Sequence, residues 1–197
     1  MLRLLVMVSI LGLEGCVSTQ FKALAPGTVK VGDMSVEVAD ASWNKAPTTQ
    51  TWPLHSGSQL WTRDGLLLDY LLLIPGVADG RTLFKSRSKF LVFPTYKAGM
   101  LPNEIVELTE SSVVKLYGTD MMVTSSGLRP FALGEQKAVT FDLTLTSVEG
   151  VARRGRAVAF VQDQELYLML YVGTTLHYFD KHWESGLATM NTARLSS

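Results

Sequence analysis

The stretch KAVTFDLTLTSVEGVARRGRAVAFVQDQELYLMLYV, residues 137–172, carries the clearest structural pattern in the sequence. In its first part apolar side chains alternate with threonine and aspartate, and this period of two predicts a half-buried strand. The apolar members are Val139, Phe141, Leu143 and Leu145. Two more apolar runs follow, one after a glycine-bounded turn at 150–155 and one after a tight turn at 163–164. We therefore expect three consecutive antiparallel strands, whose buried face other elements must cover.

The composition limits the class of protein. The chain has 197 residues, 47% of them hydrophobic, and a formal net charge of zero. These values predict a globular domain with a substantial core, and they give no reason to expect a nucleic-acid partner. Cys16 is the single cysteine, and His177 and His182 are five residues apart, not the four that place a zinc pair on one helical face. We therefore predict no disulfide, no metal site and no cofactor.

The first sixteen residues, MLRLLVMVSILGLEGC, are typical of an export signal. Arg3 supplies a short positive region, and an apolar run of ten residues follows at 4–13. A transmembrane helix needs about 20 apolar residues, so this run is too short to span a membrane. We interpret residues 1–15 as a signal peptide that is removed from the mature protein.

The end of this segment, Leu13-Glu14-Gly15-Cys16, resembles the lipobox of bacterial lipoproteins. The resemblance implies that the lipoprotein signal peptidase recognises Leu13 and Gly15 and cuts before Cys16. It further implies that the Cys16 sulfur carries a diacylglyceryl group and that the new amino terminus is acylated, for example with palmitate. Glu14 departs from the pattern, in which this position usually holds a small or uncharged residue. The alternative is an ordinary secretory signal with an incidental cysteine.

Val17 follows the cysteine. In enteric-type sorting an aspartate at this position retains a lipoprotein at the inner membrane. The resemblance therefore implies an outer-membrane lipoprotein that faces the periplasm, and without lipidation the protein would be soluble in the periplasm. We expect a lipidated tether at 16–27, ending in Pro26-Gly27, and a single α+β domain at 28–197.

Two short turn signals predict hairpins in the first half of the domain. Gly32-Asp33 separates two short strands, and Asp64-Gly65 precedes the run LLLDYLLLI at 66–74. This run is apolar on both faces except for Asp69, so we expect a central strand that ends at Pro75-Gly76. Asp69 is either a shielded carboxylate with a raised pKa or a hydrogen-bonded aspartate at a strand end.

Two helices are expected. The stretch MLPNEIVELTESSVVKLYG predicts a helix that begins near Pro102 and ends at Gly118. A strand at 120–125 and a loop at 127–134 should connect it to the meander. Near the carboxyl end, apolar residues at helical spacing predict an amphipathic helix at 179–193. They are Phe179, Trp183, Leu187 and Met190.

The order of these elements (helix, strand, three-strand meander, closing helix) resembles the PsbP/Mog-type sandwich. The pieces MLPNEI at 100–105 and RGR at 154–156 share in the resemblance, which covers roughly residues 66–195. It implies an α+β fold in which helices flank a central antiparallel sheet. Members of this group serve as binding or assembly factors, and many are lipoproteins, so the resemblance implies no catalytic residue. Fold analogy alone does not define a function.

Two groups of residues are candidates for a binding surface. Trp43 and Trp52 lie in a predicted loop at 40–58 and could form a ligand platform, unless both pack back on the core. The second group, in the first turn of the meander, consists of Arg153, Arg154 and Arg156. These arginines could bind a phosphate or a carboxylate, and otherwise they keep the loop soluble.

A basic cluster precedes the first predicted helix. Its members are Arg81, Lys85, Arg87 and Lys89. The cluster could contact anionic headgroups or another polyanion, and otherwise it is a solvated loop. Directly after it, at 90–93, we expect a short apolar strand or an extended piece that stops at Pro94. We expect His55, in the earlier loop, to be solvated.

The sequence contains no GxSxG elbow, no phosphate-binding GxxxxGK[ST] loop, no HExxH motif and no EF-hand pattern. We therefore expect a membrane-anchored lipoprotein whose non-enzymatic α+β domain binds an envelope protein or another envelope component. One alternative is a small envelope hydrolase that uses Asp69 or a histidine in a deep pocket. Another is a carrier that holds a hydrophobic ligand between the sheet and its helices.

Overall fold

The computed structural model describes residues 20–47, 52–86 and 88–195. The predicted signal peptide, Cys16 and Arg87 lie outside these residues. The helices are α1 (Pro102–Tyr117) and α2 (Tyr178–Asn191). The strands are β1 (Lys22–Ala23), β2 (Gly27–Val31), β3 (Met34–Val38), β4 (Asn44–Lys45), β5 (Gln59–Thr62), β6 (Asp69–Val77), β7 (Met121–Leu133), β8 (Gln136–Ser147), β9 (Ala152–Gln162), β10 (Glu165–Thr174) and β11 (Arg194–Leu195).

Eight strands form one antiparallel sheet, the main sheet, in the order β1-β4-β5-β6-β10-β9-β8-β7. The predicted meander is confirmed, because β8, β9 and β10 are consecutive antiparallel neighbours. At the tight turn between the last two, Asp163 and Gln164 have φ angles of 51° and 67°. Two consecutive left-handed residues are typical of a two-residue type I′ hairpin, whose twist matches that of its strands.

β6 lies in the middle of the main sheet, between β5 and β10, as expected of the apolar run. The strand begins at Asp69, three residues later than predicted. The residues before it form a turn, in which the Asp69 amide donates a hydrogen bond to the Gly65 carbonyl (3.0 Å). The predicted end at Pro75-Gly76 is wrong. A bulge in the pairing with β10 accommodates these two residues, and the strand continues to Val77.

The first predicted helix is confirmed as α1. The Glu104 carboxylate accepts a hydrogen bond from the Leu101 amide (2.6 Å) and so caps the first turn. Gly118 ends the helix with a φ of 66°, a conformation that glycine adopts readily. α1 packs on one side of the main sheet, which we call the α1 face, chiefly against β7, and shares a core with Phe141 and Leu143. The buried helix residues are Ile105, Val106, Leu108, Thr109, Ser112 and Val113.

β7 is longer than predicted. It forms one strand paired with β8 throughout, so the loop predicted at 127–134 is wrong. The pairing register shifts between Ser126 and Arg129, where Gly127 has a φ of 66°. A bulge of this kind absorbs extra residues without ending the strand. Of the two alternatives for residues 90–93, the strand is not formed, because no residue of that segment pairs in a sheet.

The opposite side of the main sheet, the α2 face, is covered by α2 and by a second sheet in the order β11-β3-β2. The hairpin predicted at Gly32-Asp33 is confirmed as β2–β3. α2 approaches β10 closely at two glycines. A Cβ at Gly173 would lie 2.7 Å from the Phe179 backbone, and one at Gly186 would lie 3.1 Å from the Tyr171 ring. The predicted apolar stripe includes buried Phe179 and Met190 and half-buried Trp183 and Leu187.

β1 forms an edge of the main sheet, where Lys22 pairs with Lys45 of β4. Leu24, directly after it, is buried. The tether predicted at 16–27 is therefore too long, because the residues from β1 onward belong to the folded domain. In the part of the chain that the structure describes, no helix is long and apolar enough to cross a membrane.

Candidate functional site

The three arginines predicted to lie in a turn lie on strand β9 instead, and we call Arg153, Arg154 and Arg156 the arginine row. The strand begins before them, so they take part in the sheet. Arg156 donates from Nε to Asp142 Oδ1 (2.5 Å), and its guanidinium lies 4.7 Å from the Trp183 ring centre. It is therefore held by a charged hydrogen bond and by a cation–π contact.

The other two arginines of the row also have partners inside the domain. Arg154 donates from Nη1 to Asp180 Oδ1 (3.2 Å) and lies 4.3 Å from the Phe179 ring centre. Arg153 donates from Nη2 to the Leu67 carbonyl (3.3 Å). These contacts hold the arginine row against α2 and against the turn that contains Leu67, so its side chains take part in the packing of the domain.

The two tryptophans do not form a common platform. Trp43 is buried on the α2 face, 6.4 Å from the Trp61 ring centre, with the Arg63 guanidinium 4.8 Å from its ring. Trp52 is half-buried on the α1 face, where it meets the Tyr70 ring edge-on at 4.7 Å. The main sheet separates the two rings, and each packs against a different core.

Asp69 is a buried carboxylate that closes the turn between β5 and β6. Its oxygens accept hydrogen bonds from the Thr62 hydroxyl (3.0 Å), the Arg63 amide (3.1 Å) and the Asp64 amide (2.8 Å). The residue is 1% exposed. It is the hydrogen-bonded aspartate at a strand end, and it presents no open oxygen to a substrate.

His182 and His177 belong to the surroundings of α2. The Asp64 Oδ2 atom lies 2.6 Å from His182 Nε2 and accepts a hydrogen bond from Lys181 Nζ (2.7 Å). The hydrogen bond from Lys181, with a further one from His182, holds the pKa of Asp64 below its usual range. His177 is exposed and its ring lies edge-on to Tyr178 at 5.1 Å. His182 therefore belongs to the packing around α2, and His177 lies at the surface.

Two loops, at 52–58 and 78–97, cover the α1 face beside α1. They are joined by an isolated bridge between Leu54 and Phe84. Phe84 is buried and packs 5.7 Å from the ring centre of buried Phe93. These apolar contacts fix the inner side of both loops on the core, and the exposed polar side chains of the loops, such as Ser56 and Lys85, lie on the outer side.

The outer side of the loops carries three adjoining grooves of about 260, 370 and 480 Å³. The two smaller grooves share a wall formed by His55, Ser56 and Lys85, and the two larger grooves share Thr82. We name the combined surface the basic groove. We define it by His55, Ser56, Arg81, Thr82, Lys85 and Lys89.

His55 ties the two loops together within this surface. It is half-buried, and its Nδ1 lies 3.0 Å from the Thr82 carbonyl, so the solvated position predicted for it is wrong. Nearby, the buried Ser58 hydroxyl has no hydrogen-bond partner among the described residues. The loops therefore have a defined geometry, while one polar group beside the groove remains unsatisfied.

The cations of the basic groove differ from the arginine row in having no acidic partner. Within residues 20–47, 52–86 and 88–195, Arg81 and Lys85 form no side-chain ion pair or hydrogen bond. Lys89 Nζ lies 5.5 Å from the Phe90 ring centre. No described aspartate or glutamate lines any of the three grooves. The cations of the groove are therefore not held in ion pairs by described side chains, and they can attract an anion over about 8–10 Å of solution.

The chemistry of the groove is that of anion binding. A guanidinium matches phosphate or carboxylate geometry, an ammonium adds a point charge, and hydroxyl groups donate hydrogen bonds. Among the described residues, no three His, Cys, Asp or Glu side chains come together around a space for a metal ion. The side chains of the groove can themselves supply the charge and the hydrogen-bond donors that an anion needs.

Sequence patterns indicated part of this site. The spacing of Arg81, Lys85 and Lys89 marked a basic cluster, but Ser56 and Thr82 carried no signal of their own. Thr82 adjoins Arg81 in the chain, whereas Ser56 joins the cluster because the bridge between Leu54 and Phe84 brings the two loops together.

Comparison with known proteins identifies the fold. No protein-family model and no curated protein matches the sequence. PsbP (CyanoP) from the cyanobacterium Synechocystis sp. PCC 6803 superposes with a TM-score of 0.57 at 8% identity, covering 93% of this chain and 97% of that one. The chain has a PsbP/Mog1-like fold. The Ran-binding protein Mog1p from Saccharomyces cerevisiae gives a TM-score of 0.50 at 10% identity, covering 90% of this chain and 96% of that one. The expected antiparallel sheet with flanking helices is confirmed, and likeness at this identity concerns the fold alone.

Proposed function

We propose that this protein is a lipoprotein of the bacterial envelope whose domain acts by binding. The lipobox-like sequence Leu13-Glu14-Gly15-Cys16 supports the anchor. The observation that carries the proposal is the short chain between Cys16 and β1, which begins six residues later at Lys22. Six residues span at most about 20 Å, so a lipid on Cys16 holds the domain directly against the membrane surface.

The folded domain supports a binding role in two ways. Its fold is shared with Mog1p, a Ran-binding protein, which is an analogy for a binding module and does not name a partner for this chain. Its cations gather in an open groove without described carboxylates, an arrangement suited to holding an anion. We place the domain on the periplasmic side of the outer membrane, because Val17 rather than aspartate follows Cys16.

The intact mass of the membrane-extracted protein tests the anchor, with Cys16→Ala as the comparison. We expect the wild type to have lost residues 1–15 and to have gained the mass of acyl chains. The Cys16→Ala protein should show neither change. A wild-type protein without lipid, recovered in the soluble periplasmic fraction, would contradict the proposal and point to an ordinary secretory signal.

Sorting between the two membranes is tested separately. In an enteric host, density fractionation should place the wild type with the outer membrane and a Val17→Asp variant with the inner membrane. Both variants retain the same folded domain, because residue 17 precedes β1. Identical fractionation of the two proteins would show that this position does not direct sorting here.

A further inference from the structure

We propose that the basic groove binds the phosphate of an anionic phospholipid headgroup. The proposal rests on the membrane location proposed above and names the class of ligand that the domain meets there. The chemistry recognised is that of a phosphate ester, which a soluble glycerol phosphate shares. The side chains beside the groove favour the lipid as its source.

The charge distribution is the first argument. Arg81 and Lys85 line one groove together with the hydroxyl-bearing residues Ser56 and Thr82. A guanidinium, an ammonium and two hydroxyls on one surface supply charge and hydrogen-bond donors to a phosphate oxygen. Since neither cation has a partner in the described chain, a phosphate gains these interactions without displacing an existing ion pair.

The apolar residues beside the groove are the second argument. Phe90 is 87% exposed and Val92 is 67% exposed, and both follow Lys89 in the same loop. Lys115 of α1 donates from Nζ to the Val92 carbonyl (2.6 Å), which fixes this part of the loop. Aromatic and aliphatic side chains next to basic ones are typical of surfaces that enter the boundary between headgroups and acyl chains. A soluble anion would not need them.

The position of the anchor is the third argument. β1 is an edge strand of the main sheet, two strands away from β5 and three strands away from β6. The loops that form the basic groove cover the part of the α1 face near β5 and β6. At about 4.8 Å per step these distances are about 10–15 Å, whereas β7 at the far edge is about 34 Å away. A lipid on Cys16 therefore brings the edge of the domain that carries β1 and the basic groove toward the bilayer, and keeps the β7 edge away from it.

The test is co-sedimentation of the mature chain, residues 16–197 with Cys16→Ser, with lipid vesicles. Without the lipid anchor, any membrane binding reports the domain itself. We expect binding to vesicles that contain phosphatidylglycerol and much weaker binding to pure phosphatidylcholine. The pair Arg81→Gln/Lys85→Gln should weaken binding by about thirtyfold, because each basic residue near an anionic surface contributes about fivefold.

The control pair Arg129→Gln/Lys137→Gln removes the same charge from β7 and β8, at the other edge of the main sheet. We expect it to bind within a few-fold of the parent. Equal weakening by both pairs would overturn the proposal, because binding would then reflect net charge and not the groove. Thermal unfolding of each protein shows whether it is folded.

The source of the phosphate is tested with Phe90→Ala and with soluble sn-glycerol 3-phosphate. We expect Phe90→Ala to weaken vesicle binding severalfold, because the exposed ring can enter the bilayer interface. Calorimetry should detect only weak binding of glycerol phosphate. Tight binding of glycerol phosphate, together with equal affinity for both vesicle types, would overturn the lipid assignment. These readouts are independent of whether Cys16 is lipidated, so this proposal and that of the anchor can fail separately.

Discussion

The arginine row and the basic groove are both clusters of cations, but their surroundings differ. In the row, Arg156 lies across from Asp142 in the β8–β9 register and under Trp183 of α2. In the groove, neither Arg81 nor Lys85 forms an ion pair with an acidic residue among the described residues. Cations paired inside a domain stabilise its fold, whereas unpaired cations in an open groove are available to a ligand.

The comparison shows that the composition of a cluster does not determine its role. The role depends on whether register and packing bring carboxylates beside it. If this is correct, removing the partners of the row should cost stability. Removing the cations of the groove should cost ligand binding and leave stability unchanged.

The largest effect is expected from Gly173→Ala. The new Cβ would lie 2.7 Å from the Phe179 backbone, so the start of α2 must move. The Phe179 ring, which lies against the Arg154 guanidinium, must move with it. We expect a loss of about 3 kcal/mol in the free energy of unfolding, measured by urea denaturation. Gly150→Ala is a suitable comparison, because a Cβ there meets no atom within 4 Å and only its positive φ opposes the change. Equal losses for the two variants would contradict close packing of α2 on β10.

Asp142→Asn should leave Arg156 of the arginine row without its acidic partner, as the cations of the basic groove are. Arg156, whose side chain is 24% exposed, would lose its charged hydrogen bond, and Arg129 would lose its ion pair with the same carboxylate. We expect a loss of about 2 kcal/mol in the free energy of unfolding. The control is Glu149→Gln, an exposed loop residue, which should change stability by less than about 0.5 kcal/mol. A neutral Asp142→Asn would mean that the row does not support the fold.

Asp64 provides a pH-dependent version of the same test. Hydrogen bonds from Lys181 and His182 lower its pKa in the folded state from the ordinary value of 3.8. A lowered folded-state pKa stabilises the protein above pH 3.8, and the stabilisation is lost as pH falls through the folded value. Asp64→Asn should therefore lower the free energy of unfolding by about 1 kcal/mol at neutral pH. The difference in stability between the variant and the wild type should shrink below pH 3.8. Thermal unfolding across pH measures it, and a constant difference would contradict the assignment.

The smallest effect on stability is expected for Arg81→Gln/Lys85→Gln. Both side chains are exposed and lack described partners, so their loss should change the free energy of unfolding by less than about 0.5 kcal/mol. Urea denaturation beside Asp142→Asn gives the direct comparison. A loss as large as that of Asp142→Asn would show that the groove cations support the fold after all.

The sequence predicted the elements whose periodicity is uninterrupted. The alternation around Phe141 and the helical stripe that contains Phe179 gave the meander and α2 because burial of one face imposes each period. It failed where strands pass through turn-like residues. Pro75-Gly76 and Gly127 signal a chain reversal, but in the sheet each is absorbed in a bulge.

The candidate site was less predictable for a different reason. The sequence offered Arg156 and Arg81 as equivalent members of two basic clusters. Only the pairing of β8 with β9 places Asp142 beside the first, and only the bridge between Leu54 and Phe84 places His55 beside the second. Contacts between distant segments set these roles, and no local pattern contains them.

An NMR titration of the mature Cys16→Ser chain with a short-chain, monomeric phosphatidylglycerol tests directly whether the unpaired cations form the binding surface. We predict amide shift changes at His55, Ser56 and Lys85, which line the groove, and none at Arg154 and Arg156 in the paired row. Changes concentrated on β9 and α2, or no changes at saturating lipid, would contradict the claim that unpaired cations mark the binding surface.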